Sequence, residues 1–251
     1  MGTEFVVEQH DGEFKQPPRE DCPICFIRMP TLGKGTRYQS CCGKVICCGC
    51  IHAPVYDDKG NKVAKKCPFC RVPTPDTDEE GLERDKKRVE AGDALAIYNL
   101  GCDYEQGING YPQDCDKALK LYHRAAELGH AEAYGMIGYC YDMGRGVEVS
   151  KKKAKWYLEL AAAKGDVTAR YNLGLMEYGG NNMDRAVKHY MMAVGSGDAE
   201  SLKEIQELYS HGHATKDDYA KALRLYQEYL GEIKSVQRDK AAAAKEEYRY
   251  Y

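Results

Sequence analysis

No stretch of this 251-residue chain approaches the ~20 consecutive apolar residues that a membrane-spanning helix needs. Residues 1–10 carry acids where an export signal carries basic residues, and they hold no apolar run of useful length. Val6 stands where a myristoylation motif after Gly2 wants Ser or Thr. An intracellular setting, cytoplasmic or nuclear and reducing, is therefore expected, with no membrane partner. A dominant charge is missing as well: 36 Lys and Arg face 39 Asp and Glu. Such a balance creates no field that would draw a polyanion, so nucleic acid is not expected as a partner. Lys151, Lys152 and Lys153 read as a solvated lead into a helix. The chain has no glycine-rich phosphate loop and no serine elbow. His123, His130, His189, His211 and His213 have no companion acid or nucleophile in the sequence. Nothing reads as a self-contained catalyst.

Cysteine, by contrast, is plentiful in one place. Nine of the twelve fall within residues 22–70: Cys22 and Cys25, then Cys41, Cys42, Cys47, Cys48 and Cys50, then Cys67 and Cys70. Cys-x2-Cys is the spacing with which one tight turn aims two thiolates at a tetrahedral zinc, and it occurs three times, at Cys22/Cys25, Cys47/Cys50 and Cys67/Cys70. A disulfide framework would need an oxidising compartment, to which the N-terminal residues offer no route. A segment this short buries little apolar surface alone. Structural zinc supplies the difference, on the order of 10–16 kcal/mol in small finger peptides.

The order of these cysteines resembles that of the RING finger family, in which the first and third ligand pairs share one zinc and the second and fourth share another. The resemblance implies two zinc ions, one held by Cys22, Cys25, Cys47 and Cys50, the other by Cys42, Cys67, Cys70 and a fourth ligand. Where the family has histidine this chain has Lys44, whose protonated amine offers a metal no lone pair. Three substitutes stand open. Cys41 would restore four thiolates, Lys44 could hydrogen-bond in place of a metal as in the zinc-free U-box relatives, or His52 could reach in. Cys48 is left over, and a spare buried cysteine behaves as a small hydrophobe. The resemblance further implies contacts to a ubiquitin-conjugating enzyme and to ubiquitin. These fall on Ile24 between the first ligands, Pro68 in the last pair and Arg71 after it.

Beyond a polar, proline-broken stretch after Arg71 the chain repeats. Ala94 to Tyr104, Ala131 to Tyr141 and Val167 to Tyr178 share one frame, with Gly a few positions before Tyr. A second frame follows each, beginning Lys117-Ala118, Lys153-Ala154, Arg185-Ala186 and, last, Lys221-Ala222. Apolar residues recur at three and four positions in both, and three of the second frames end in glycine, which predicts two helices per repeat. Variation in length is confined to the connection between the two helices, as stacked helical hairpins require. The landmarks around Gly144-Arg145-Gly146-Val147, Trp156 and Tyr157 resemble the Sel-one-like repeat family. That resemblance implies a solenoid that presents a concave surface to a protein partner. Repeat tyrosines and Trp156 are expected to pack inward, while Cys102, Cys115 and Cys140 show no metal spacing.

The fold expected is a small zinc-stabilised α+β RING-like module followed by an all-α solenoid of Sel-one-like, tetratricopeptide-like hairpins. Its divisions are a disordered lead (1–20), the finger (21–72), a linker (73–78), an orphan capping helix (79–92), about four repeats (93–234) and a helical or frayed tail (235–251). The last second helix lacks its terminal glycine and is expected to run on into the alanine-rich tail as a polar cap. The function expected is a ubiquitin ligase, or else a zinc-stapled scaffold without catalysis.

Overall fold

Small residues at fixed intervals build the repeat half. The computed structural model describes residues 20–31, 34–53 and 66–250. The expected disordered lead, apart from Glu20, lies outside them. In chain order the elements are β1 (Thr36–Gln39), β2 (Lys44–Cys47), α1 (Cys48–His52), α2 (Asp78–Glu90), α3 (Ala94–Gln106), α4 (Cys115–Glu127), α5 (Ala131–Met143), α6 (Lys151–Ala163), α7 (Val167–Gly179), α8 (Met183–Gly195), α9 (Ala199–Ser210), α10 (Lys216–Ile233) and α11 (Val236–Ala244). The second helices of three hairpins bury one template. It is Ala118, Tyr122, Ala125 and Ala126 in α4; Ala154, Leu158, Ala161 and Ala162 in α6; and Ala186, Tyr190, Ala193 and Val194 in α8. Steps of four, three and one keep these side chains on one face of a 3.6-residue helix.

Each first helix answers the bulky member of that template with a glycine. A Cβ on Gly101 would lie 2.6 Å from the Tyr122 ring, one on Gly174 2.4 Å from the Tyr190 ring, and one on Gly138 3.1 Å from Leu158. The hairpins α3–α4, α5–α6 and α7–α8 thus close by fitting a large side chain against bare backbone. The connections are equally regular. Gly129, Gly165 and Gly197 follow the second helices with left-handed φ of 93°, 97° and 96°, and Asp93, Asp166 and Asp198 then cap α3, α7 and α9 with their carboxylates. These carboxylates satisfy N–H groups that a helix start leaves without partners. Before α5 that place belongs to His130, which makes no capping bond and instead lies 2.8 Å from Glu132.

Three expectations need correction or refinement. The orphan helix begins at Asp78, where the Thr77 side chain caps it, so the connector is one residue shorter. Trp156 is mostly buried, as expected, but not on the face that closes the hairpin. Two positions beyond Ala154, it points about 200° around the helix from the packed face, and its ring meets Tyr157 edge-on at 4.7 Å. Finally, α10 does not run on. Lys234 and Ser235 adopt extended backbone, and the Ser235 hydroxyl caps a new helix, α11, accepting from the Arg238 N–H at 3.2 Å. The break turns α11 back onto the cysteine-rich module, where Arg238 and Ala241 are buried. It is not a polar cap on the solenoid.

That module is an antiparallel hairpin, with Thr36 opposite Cys47 and Gln39 opposite Lys44, followed by the short α1. It touches both ends of the solenoid. At the front, the Tyr38 hydroxyl donates to Asp93 at 2.8 Å and Arg88 Nε donates to the Ser40 carbonyl at 2.8 Å. At the back, the Thr31 N–H donates to the Tyr229 hydroxyl at 3.0 Å and Arg28 pairs with Glu232. Cys48 fills an apolar cluster with Tyr229, Ile233, Ala241, Tyr248 and Tyr250, the part expected of the spare cysteine. Among the described residues no helix is long and apolar enough to cross a membrane.

Candidate metal centre

Two turns of identical construction open and close the module. The Cys22 N–H donates to the Ile27 carbonyl at 3.0 Å and the Phe26 N–H donates to the Cys22 carbonyl at 2.9 Å. The second turn repeats this with Cys67 to Val72 at 2.8 Å and Arg71 to Cys67 at 2.9 Å. In each, the residue after the second cysteine turns left-handed: Phe26 at φ 56° and Arg71 at φ 65°. That conformation costs a side-chain-bearing residue about 1–2 kcal/mol, so something must hold the turn. Short bridges close both bases, Asp21 with Arg28 and Lys66 with Pro73. Cys41 and Cys42 come from the β1–β2 turn, where Gly43 has φ 68°, while Cys47 ends β2 and Cys50 lies on α1.

These elements gather eight sulfurs into two groups of four. One is Cys22, Cys25, Cys47 and Cys50; the other is Cys41, Cys42, Cys67 and Cys70. Within each group all sulfurs lie within 4.8 Å of one another. Four sulfurs about 2.3 Å from a central ion stand about 3.8 Å apart at tetrahedral angles. Cys25 and Cys47 are 3.7 Å apart, Cys42 and Cys67 3.9 Å, and Cys41 and Cys70 a tighter 3.3 Å. No pair is at disulfide distance, and all twelve thiols are free. The donor set therefore fits a tetrahedral, sulfur-loving divalent ion.

Burial and a shared hydrogen bond drive the thiols of the first group apart in their titration. Cys22 is driven down to about 4, chiefly by a hydrogen bond from Cys47. Cys47 is pushed up, first by that same bond and then by burial, and Cys50 is pushed up to about 12 by burial. In the second group burial raises Cys41 and Cys42. Groups coupled this closely cannot all ionise unless positive charge enters among them.

Of the alternatives for the eighth donor, Cys41 is the residue that the structure brings to the group. Lys44 is exposed on β2, and the His52 ring faces Tyr248 edge-on at 6.2 Å. Ile24 is half-buried against the cysteine core, Pro68 is half-buried and Arg71 is exposed. Sequence reasoning missed Phe26 and Phe69, which are 76% and 43% exposed on the two turns. An aromatic residue next to a turn cysteine in both motifs was the available signal. It also missed Arg238, two of whose carbonyl partners lie 210 and 211 positions away.

The repeats have known relatives. The chain is 30% identical over 113 residues to the ERAD-associated E3 ubiquitin-protein ligase component HRD3B of Arabidopsis thaliana, covering 45% of this chain and 18% of that protein. It is 28% identical over 134 residues to chitin synthase regulatory factor 2 of Schizosaccharomyces pombe, covering 50% of this chain and 26% of that one. The chain thus spans about a quarter or less of the length of these relatives. Among solved structures, c5321, a protective antigen of uropathogenic Escherichia coli with an SLR fold, matches with a TM-score of 0.53 at 24% identity. That match covers 68% of this chain and 37% of that one, and it speaks to the fold alone. The Sel1 repeat profile matches residues 94–130, 131–166, 167–198 and 207–228, just over half of the chain and the same units that the glycines and aspartates punctuate. The chain belongs to the Sel1 repeat family.

Proposed function

We propose that each four-cysteine group holds one zinc ion and that the module they build is a RING-type finger. On this reading the protein is a ubiquitin ligase, with a finger that recruits a charged ubiquitin-conjugating enzyme and repeats that engage a protein partner. The observation that carries the reading is the interleaving of the two groups: first cysteine pair with third, second with fourth. Ions so held would supply no chemistry beyond fixing the two turns. The turns would then offer Ile24 and Pro68, flanked by exposed Phe26 and Phe69, as an apolar contact for the conjugating enzyme. Arg71, exposed after the last ligand, would donate hydrogen bonds to ubiquitin. Catalysis of this kind is orientation of a thioester towards an attacking lysine. The name of the Arabidopsis relative, a component of a ubiquitin ligase, agrees with a repeat array that works beside such chemistry.

The test mixes the protein with activating enzyme, a panel of conjugating enzymes and ubiquitin. Faster discharge with at least one conjugating enzyme is expected. Ile24→Ala should abolish that gain while both zinc ions are retained, and Arg71→Ala should slow discharge while enzyme binding persists. No acceleration across the panel would sink the ligase reading. A second reading, a zinc-stapled scaffold without catalysis, is favoured by one observation: the module is docked on both ends of the solenoid. Under it, elemental analysis still finds two zinc ions per chain and discharge stays at the background rate.

A further inference from the structure

Arg238 is fully buried, and it belongs to the far end of the chain from most of what it touches. It donates to the carbonyls of Arg28 and Ile233, each at 2.6 Å, and to that of Ile27 at 3.1 Å. Ile27 and Arg28 follow directly on the Cys22–Cys25 turn. The backbone beside it fits just as closely: a Cβ on Gly49, in α1 between Cys48 and Cys50, would lie 3.0 Å from the Arg238 nitrogen and 3.1 Å from its Cγ. Tyr250 and Tyr248, from the residues after α11, pack with Cys48 in the same cluster.

A buried guanidinium needs an anion, because carbonyl dipoles satisfy its N–H groups without cancelling its charge. Two carboxylates of the same region have other partners: Glu232 pairs with Arg28, and Asp239 accepts from the Tyr250 hydroxyl. The guanidinium lies instead beside the first cysteine group: its carbonyl partners Ile27 and Arg28 follow the Cys22–Cys25 turn, and Gly49, packed against its nitrogen and Cγ, stands between Cys48 and Cys50. Arg238 Nε, also buried, has no hydrogen-bond partner among the described residues. Four thiolates around one divalent ion carry a net charge of minus two, which is the charge this position calls for.

We infer that Arg238 is the counter-charge of the first cysteine group, making residues 236–250 a working part of that metal site. The inference rests on the zinc reading above. Groups that support metal ligands from behind typically change metal affinity 10- to 100-fold when removed. Because coupling between sites is reciprocal, a loaded first site would hold α11 down, and a displaced α11 would loosen the ion.

The experiment uses the whole 251-residue chain. Zinc content is measured first, and release into excess chelator is then followed with a metal-sensitive dye. The phase missing from a Cys67→Ala variant identifies the second group. Arg238→Met is expected to speed release from the first group by about 10- to 100-fold, leave the second unchanged, and be partly rescued by Arg238→Lys. Since a variant can fail by misfolding, hydrogen exchange on the wild type provides the other arm. Stripping the metal should raise exchange in α11 at least about tenfold while α4 to α6 stay protected. Release of both ions from Arg238→Met at the wild-type rate, or equal exchange of α11 in loaded and stripped protein, would overturn the inference. Wild-type protein that retains no zinc at all would overturn the zinc reading and the inference together.

Discussion

At Gly174 a single hydrogen atom is all the space the hairpin leaves. Alanine there would gain up to about 1 kcal/mol in helix propensity, but its Cβ would fall 2.4 Å from the Tyr190 ring. Both neighbours are embedded in packed helices, so overpacking, typically 1–3 kcal/mol, should win. Gly174→Ala is expected to lower the unfolding midpoint in urea, and a midpoint at or above wild type would show that Tyr190 can swing aside. Asp166 is a residue of the opposite kind, a cap that is over-buried. Burial, aided by Glu132, pushes its carboxyl up to about 6 despite the N–H bonds it accepts. The folded protein therefore holds this proton more tightly than the unfolded chain. The stabilisation is complete below about pH 4 and is lost as pH rises through 6, amounting to up to about 3 kcal/mol. Asp166→Asn keeps a good cap without the charge. It should be the more stable protein at pH 7.5, and the difference should shrink towards pH 5 in thermal melts.

Among the elements, those with local rules were legible and the one without was not. The hairpins announced themselves because Ala118, Tyr122, Ala125 and Ala126 recur at fixed steps in α6 and α8, and because glycine ends each of these units. The turns at Cys22 and Cys67 were legible for the same reason: spacing within four residues fixes where two sulfurs point. The fate of α11 was not. Its sequence, Val236–Ala244, reads as helix-forming anywhere, and its docking is decided by Arg238, a charged residue bonded to carbonyls 210 and 211 positions away. Nor did periodicity say that Ser235 would interrupt the helix rather than continue it. The second cysteine group carries its own element-level prediction. Cys41, from the hairpin turn, completes the second group of four sulfurs, so Cys41→Ala should reduce zinc from about two ions per chain to about one. Lys44→Ala, on an exposed strand position, should leave both. Two ions in the Cys41 variant would assign the fourth ligand elsewhere.

For the whole molecule, only one neighbour of the cysteine-rich module was legible before the structure. A connector of five residues after Val72 does hold the module beside α2 and α3, where Tyr38 and Arg88 tie it down. The other contact, with Tyr229, Glu232 and Arg238, depends on how far four stacked hairpins curve. That curvature sums small rotations between neighbours, a quantity that no single segment encodes.

Proteins of this architecture ordinarily lengthen or shorten by copying or losing one hairpin, since each unit contacts only its neighbours. Here the module reaches from Asp93 at one end to Tyr229 at the other, and so works as a gauge of fixed span. One more hairpin would carry Tyr229 and Arg238 away by about two helix spacings, roughly 16–20 Å, beyond the reach of Thr31, Ile27 and Arg28. A chain with residues 131–166 duplicated should keep its helical content and release the module from one end, seen in small-angle scattering as a disproportionate rise in radius of gyration. A rise no greater than the added mass requires would show that the span is adjustable. On that expectation, the number of repeats is matched to the span of a part that is not itself a repeat.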